Sequence, residues 1–465
     1  MERKRGETGM QESTGLHGST GTVSTGDSHA AGDRRGPTWR GWILAILSAI
    51  ILWLCTLALG TVARAEGPPL PAGYYVDAAL SGYPSLESLR QRITMKRNEA
   101  VRAGALDDPK GWFAIINVPV TTWSFREEDM TGKEIGFSQM IPYPGKRAHA
   151  VHIVEMEKEQ AEFELAEMRN ILRADVKMTY AELSTVRVQA EVVRQVRSVL
   201  DQVVRVSTEM FSVGKGRQSD VLRGQVEFQK MREGLLTLEN REKVLSIRLN
   251  TFAALPPDEP VPALDTLSEF SPEYDARELR AIYAAERPAR QAIQTRIEKG
   301  ALAVVHAEHE GRPDFEVSTS YMQRDAAPDG TKRPDMFSAM VSMTLPIWKK
   351  GKIEPGIRAM AAEKEMAIRD GKTLDAEAAN AIGGALASLS NFAAVAKLYR
   401  TTLIPQAEQS VRANLDAYQV GKIDFQAVMD SLVAELNFRK EYAGMVGEMH
   451  ATKARLEAAV GRELE

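Results

Sequence analysis

The side chains best placed to do chemistry are two histidine pairs, His149 with His152 and His306 with His309. Imidazoles three residues apart on a helix share a face and can hold a soft or borderline cation between them. Each pair falls near a junction of helix and strand, where a histidine is more commonly a polar boundary residue, so the four stand as weak candidate ligands and no metal site is assigned. His450 stands alone. The 19 methionines point only faintly to copper or silver, because most fit helix stripes as core. Other reactive constellations are missing: "GKGRQS" lacks the spacing of a phosphate-binding loop, and no serine or cysteine sits in a nucleophile's setting. Neither an enzyme nor a cofactor is expected.

The bulk composition is that of a globular protein: 465 residues, 44% apolar and 26% charged. The formal charge of -4 comes from acids and bases mixed along the chain. No basic patch argues for nucleic acid, so that partner is excluded.

Residues 1–40 are rich in Gly, Ser and Thr and read as a disordered leader. Residues 41–65 read as a signal peptide: an uncharged run from Gly41 to Gly60, arginines before it, and Ala63-Arg64-Ala65 ahead of a cut before Glu66. A retained anchor of the same length would also span a bilayer, and the long leader raises a later start of translation. Residues 1–65 hold seven Lys/Arg and five Asp/Glu, so the chain from Glu66 onward carries about -6. Cys55, the single cysteine, lies in the signal behind Leu54, where lipidation needs a small side chain. The exported chain thus makes no disulfide, and packing or assembly must stabilise it.

The rest is written twice. "FSVGKGRQSDVLRGQVEF" from Phe211 matches "YQVGKIDFQAVMDSLVAEL" from Tyr418, with Gly214 and Gly421 at an offset of 207. Upstream, "MIPYPGK" matches "TLPIWKKGK", with Pro142 opposite Pro346 and Gly145 opposite Gly351, an offset drifting from 204 to 206. A first repeat over 66–255 and a second over 276–465 are therefore expected, joined by a Pro-rich crossover, 256–275, whose five prolines forbid a continuous helix.

Each copy reads as helix, strand, strand, long helix, helix. In "FSAMVSMTL" Phe337, Ala339, Val341, Met343 and Leu345 alternate with small or polar residues, and "DFEVSTSYM" alternates likewise. Such strands have the length and the small polar face of membrane-crossing strands; a half-buried hairpin on a soluble domain alternates in the same way. The first copy offers "GWFAIINVPVTTWSF" and "EIGFSQMIP".

No proline occurs from Gly145 to Leu255, and a seven-residue stripe runs through Thr179, Leu183, Val186, Ala190, Val193, Leu200, Val204, Ser207 and Phe211, broken at Arg197. That period means helices packed nearly parallel. A helix from His149 to Phe211 is about 90 Å long, longer than any compact core. Pro142, Pro144 and Gly145, and again Pro346 and Gly351, mark where strand gives way to helix, with Lys146, Arg147 and Trp348 suited to an interface. Four membrane-type strands do not close a useful barrel in one chain, so oligomerisation is expected.

Together the duplicated turns, "AGALDDPKGWFAIINVP", "SQMIPYPGK" and "RPDFEVSTSYMQRD" with "DMFSAMVSMTLPIWKKGK" resemble the TolC-like outer-membrane efflux channels, from about Tyr74 to Gly461. Within that family they look most like the heavy-metal efflux branch, which carries similar "GALPDP" and "PWPGK" stretches. The resemblance implies a mainly α fold with a β portion: a trimeric α-barrel continuing a twelve-stranded transmembrane β-barrel, four strands per chain. It implies an outer-membrane location among lipid, a homotrimer, a periplasmic adaptor (membrane fusion protein) and an inner-membrane pump, the RND type among the candidates.

It also implies site residues. The family's Val-Gly turns meet the adaptor, matching Val213, Gly214, Lys215 and Val420, Gly421, Lys422. Gate carboxylates lie six and nine residues past the second glycine; here the ninth is Asp430 and the sixth is Ala427, a departure that brings Asp424 into consideration. The first copy has Asp220 and Arg223 at those places. A ring of three Asp430 carboxylates would repel, attract cations and pair with Arg223, while a merely solvated carboxylate fits as well. The implied function is a passive conduit of a tripartite efflux system for heavy-metal cations or small toxic solutes. The alternatives are a type I protein-secretion channel and a periplasmic coiled-coil scaffold or adaptor.

Overall fold

The computed structural model describes residues 69–464; the expected leader, signal peptide and Cys55 lie outside the described residues. The first copy runs α1 (Ala72–Gly82), α2 (Pro84–Gly104), β1 (Lys110–Ile116), β2 (Gly132–Ile141), α3 (Lys146–Ser212) and α4 (Gln218–Phe252). The second runs α5 (Ala276–Glu286), α6 (Pro288–His309), β3 (Phe315–Gln323), β4 (Met336–Met343), a π-helical turn (Lys349–Ile353), α7 (Glu354–Leu398), a second π turn (Tyr399–Leu403), α8 (Ile404–Gln419) and α9 (Phe425–Val460). The short leading helices α1 and α5 are additions to the sequence reading.

The two copies agree residue by residue. Pro84 and Pro288 each open a helix, and the residues before them, Tyr83 and Arg287, share φ -67° and ψ 119°, because proline suits a first helical turn and drives its predecessor to extended backbone. Arg92 binds Glu164 at 2.5 Å between α2 and α3, and Arg296 binds Asp370 at 2.8 Å between α6 and α7. The basic partners are 204 residues apart and the acidic ones 206. Two residues are therefore inserted between β3 and β4.

The strands form one antiparallel sheet in the order β1-β2-β3-β4. Lys110 stands opposite Ser138, and at the matching place Asp314 and Thr344 exchange hydrogen bonds of 2.8 and 2.9 Å. That correspondence puts Trp348, not Pro346, at the position equivalent to Pro142. The register lines up Phe113, Ile135, Tyr321 and Phe337 across the sheet, and Phe113, Ile135 and Phe337 are 68%, 62% and 72% exposed. The first strand is shorter than expected: it ends at Ile116, because Asn117 and Trp123 adopt φ of 53° and 51° and Pro119 intervenes. β4 stops at Met343, two residues before Leu345.

Helix α3 is unbroken over 67 residues, about 100 Å, and packs on α2, α4, α6 and α9. Its buried stripe follows the expected period through Thr179, Leu183, Val186, Ala190 and Val193, then keeps Leu200 and Ser207 while the alternate places move by one, to Val196 and Val203. Arg197, turned out of the stripe, lays its guanidinium over Phe228 at 4.7 Å, while Val204 is half-buried against the core and Phe211 is exposed. At the same level the second copy has the π turn Tyr399–Leu403. The copies stand at offset 206 above it and 207 below, and a π turn holds one extra residue in a helix.

The crossover is fastened to α3 and α9. The Tyr180 hydroxyl donates to Leu70 O at 2.7 Å and accepts from Asp265 N at 2.8 Å, Arg187 donates to Pro262 O and Val261 O, and His450 Nε2 donates to Ser268 O at 2.8 Å. Where α3 crosses α9, a Cβ added at Gly447 would lie 2.0 Å from Thr185 Oγ1.

Gly447→Val should cost about 1–3 kcal/mol by overpacking, lowering the unfolding midpoint, and Thr185→Ala in the same chain should return part of the loss. Burial holds the His450 imidazole below its ordinary value of 6.5. The unfolded chain then takes up the proton first, so stability is unaffected well above pH 6.5 and declines as pH falls below it. A denaturation series from pH 8 to 5 should show a shallower acid decline for His450→Gln than for wild type.

Candidate functional site

The two interhelical turns have the same geometry at one end of the molecule. Gly214 and Gly421 have φ of 71° and 73°, and an added Cβ at either would meet nothing within 4 Å. Glycine is needed there for backbone conformation and not for space. Lys215 N donates to Met210 O at 2.8 Å and Lys422 N to Ala417 O at 2.9 Å, closing the preceding helices in Schellman fashion. Val213 and Val420 are each 66% exposed beside the exposed Lys215 and Lys422. Each tip thus offers an apolar side chain flanked by a cation.

Just behind the tips a set of residues that sequence reading did not single out joins the two copies. Ser207 Oγ donates to Val203 O at 3.0 Å, so the Tyr418 hydroxyl is the donor in its 3.0 Å contact with Ser207. The Phe425 ring lies edge-on to Tyr418 at 5.8 Å and against Gly224, where an added Cβ would come within 3.1 Å of the ring and 2.7 Å of Val204. The sequence signal was there: Gly224 stands ten residues past the first tip glycine, inside a helix where glycine costs about 1 kcal/mol.

The expected gate residues stand apart from the apolar packing. Arg223 donates to Gln426 Oε1, and Gln426 Nε2 donates to Asp430 Oδ1 at 2.6 Å. Arg223 and Asp430 are therefore joined through an amide and not by direct contact. They occupy equivalent places in the two copies, 207 residues apart. Asp220 lies in the first turn of α4, where a carboxylate suits the helix dipole, and accepts from Ser219 Oγ at 3.3 Å. Asp424 is the N-cap of α9 but makes no side-chain cap bond.

At the opposite end of the helices, Pro142 and Pro144 lead to Gly145 with φ 95°, the N-cap of α3. Lys146 is buried there, not solvated as a boundary residue: Nζ lies 2.9 Å from Asp314 Oδ2 and 3.1 Å from Arg312 O. Asp314 Oδ1 also accepts Tyr143 N at 2.7 Å. The second junction is built otherwise. Gly351 lies inside the π turn without a positive φ, and Pro346 is followed by Trp348, 73% exposed.

Three of the four histidines meet beside this junction. His149 and His309 stand with ring centroids 4.8 Å apart, and burial pushes the neighbouring His306 below its ordinary value, helped by the charges of His149, Lys146 and His309 and opposed by Glu310. His306 Nδ1 is buried without a partner, His309 Nδ1 faces Val305 O at 2.9 Å, and His152 is exposed. Among the described residues no three His, Cys, Asp or Glu side chains form a group able to hold a metal ion.

No family model matches the sequence and no curated protein does. Solved structures match its shape. The outer-membrane channel OprN superposes with a TM-score of 0.72 at 15% identity, over 84% of this chain and 89% of that one. The outer membrane protein VceC of Vibrio cholerae gives 0.71 at 18%, over 85% and 97%, and CusC gives 0.71 at 11%, over 86% and 94%. With the duplicated order of elements, the tip turns and the four-stranded sheet, this agreement shows that the chain has the fold of the TolC-like outer-membrane channels.

Proposed function

We propose that this chain is the outer-membrane channel of a tripartite efflux system, a passive homotrimeric conduit from periplasm to exterior and not an enzyme. The observation that carries the proposal is the pair of unsatisfied edges. Among the described residues β2 pairs with β3 and α3 packs on α6 and α9, while β1 and β4 each lack a partner on one side, as do α2 and α4 at one flank and α7 and α8 at the other. The flanks are complementary, because each contains the elements that face one another where the two copies meet. Copies added edge to edge satisfy both, and three give twelve strands, enough for a barrel with a lumen.

The exposed apolar face of the sheet favours lipid outside that barrel. It counts against a periplasmic scaffold, for which Phe113, Phe337 and Val341, each at least 68% exposed, would be a liability in water. The helical part then extends into the periplasm with its tips, Val213–Lys215 and Val420–Lys422, available to a periplasmic adaptor and, through it, to an inner-membrane pump. In a trimer the equivalent positions Arg223 and Asp430 alternate around the axis, six side chains of alternating charge. Each protomer's Gln426 bridges one such pair, and Asp220 and Asp424 add carboxylates nearby. The ring narrows the tip and favours cations. The proposed cargo, heavy-metal cations or small toxic solutes, rests on the resemblance of "GALDDP" and "PYPGK" to the heavy-metal branch.

A strain lacking this protein should become sensitive to one or more of copper, silver, zinc, cobalt and cadmium while tolerating a panel of organic toxicants; sensitivity to organic compounds alone would overturn the metal assignment. In planar bilayers the purified protein should form cation-preferring pores, and Asp430→Ala should raise the conductance and weaken the cation preference. Unchanged conductance and selectivity would remove Asp430 from the gate.

A further inference from the structure

The join between the two copies inside one chain shows how two chains should meet. On the reading that copies close into a ring, we propose that β4 of one protomer pairs with β1 of the next in one register, Leu345 opposite Phe113 and Met343 opposite Ile115, and that Lys349, Lys350 and Lys352 of the first take up Asp107 and Asp108 of the second.

The register follows from the internal join. There Gln139 stands opposite Val317 and Phe137 opposite Thr319. Elements of the first copy map to the second by 204 residues up to β1 and by 206 from β2 onward: the Arg92–Glu164 pair maps to Arg296–Asp370, and Ala114 opposite Glu134 maps to Ser318 opposite Met340. Moving Gln139 forward by 206 gives Leu345, and moving Val317 back by 204 gives Phe113. The same step turns Phe137 opposite Thr319 into Met343 opposite Ile115.

Two observations not used in that translation agree with it. All four residues are exposed and belong to the apolar face, so the apolar band continues across the join, whereas a slip of one residue would reverse the faces. Thr344 N donates to Asp314 O, and since amides alternate along a strand, those of Met343 and Leu345 point to the free edge. Pro346, which has no N–H, falls on the β3 side and costs the free edge no donor.

The charges complete the match. At the internal join Lys146 is buried against Arg312 O and Asp314. Its counterpart is Lys352, while the counterparts of Arg312 and Asp314 are Asp108 and Lys110, so the internal ion pair is not repeated and Asp107 and Asp108 are the carboxylates left for the lysines. Lys349, Lys350 and Lys352 are exposed and make no ion pair among the described residues, and neither do the exposed carboxylates of Asp107 and Asp108 on the opposite edge. Three cations at one edge, and two carboxylates beside Lys110 at the other, suit a second copy of this chain.

The test is oxidative cross-linking of the full-length protein in membranes, in a Cys55→Ser background. Phe113→Cys with Leu345→Cys should give a non-reduced ladder ending at three times the chain's mass, while Phe113→Cys with Met343→Cys, or with Trp348→Cys, should cross-link severalfold less and each single cysteine not at all. Stronger linking in a displaced pair, or none in any pair while native mass measurement still finds a trimer, overturns the register. A monomer by native mass overturns the oligomeric reading itself. Asp107→Lys with Asp108→Lys should cut the heat-resistant oligomer severalfold, and adding Lys349→Glu, Lys350→Glu and Lys352→Glu should restore it; a charge reversal without effect overturns the ionic latch.

Discussion

A backbone N–H or C=O facing hydrocarbon must have a hydrogen-bond partner, because lipid supplies none. Among the described residues four strands in a row leave the outer edges of β1 and β4 unsatisfied, and in a membrane that cost would recur at each edge group. The proposed assembly meets this constraint, and other features of the chain fit it. In the proposed assembly the apolar face meets lipid, the bare edges meet one another, and the helices continuing from the strands are carried into the same ring. In that proposal helix packing alone does not fix how the flanks meet, whereas strand pairing does.

Duplication makes such closure inexpensive to encode. One kind of contact, between a second strand and the first strand of the following unit, serves within the chain, and the opposed flanks present the same kind of elements. Insertions are tolerated where they do not disturb that contact. Two extra residues sit between β3 and β4, beyond the paired ends, and one is absorbed in the π turn Tyr399–Leu403. The first copy meets the same level with a slip of its buried stripe to Val196, so both long helices change phase where they begin their descent to the tips. A helix that kept strict seven-residue phase over about 100 Å would have to supercoil throughout.

The sequence displayed the repeat, the alternation of β3 and β4, the long proline-free helix and both tip turns, since each is a periodicity or a glycine in a distinctive place. It hid what depends on partners distant in the chain. Lys146 looked like a solvated boundary residue because Asp314, which neutralises it, is 168 positions away. Strand β1 looked longer because apolar and β-branched residues continue past Asn117, and only a positive φ there ends it. Arg197 was visible as a fault in the stripe, but its resolution, a shift by one residue and stacking on Phe228, needed the neighbouring helix. Asp430 was visible by its distance from Gly421; Gln426, which links it to Arg223, had no such landmark.

The tip shows why the copies have diverged where they have. Symmetric residues would serve for packing, yet Arg223 and Asp430 occupy the same position with opposite charge, and Tyr418, whose hydroxyl binds Ser207, stands opposite an exposed Phe211. In the proposed trimer six like charges around an axis would repel one another, whereas alternation lets each charge find an opposite neighbour. Because Gln426 joins them, the link is a chain of hydrogen bonds instead of a direct ion pair, and such exposed contacts are worth little individually. Apolar packing of Phe425 on Gly224 holds the two hairpins together, and the polar link sets their orientation. If the tip is the gate proposed above, weak polar contacts over firm packing let it open without unfolding the helices that carry it.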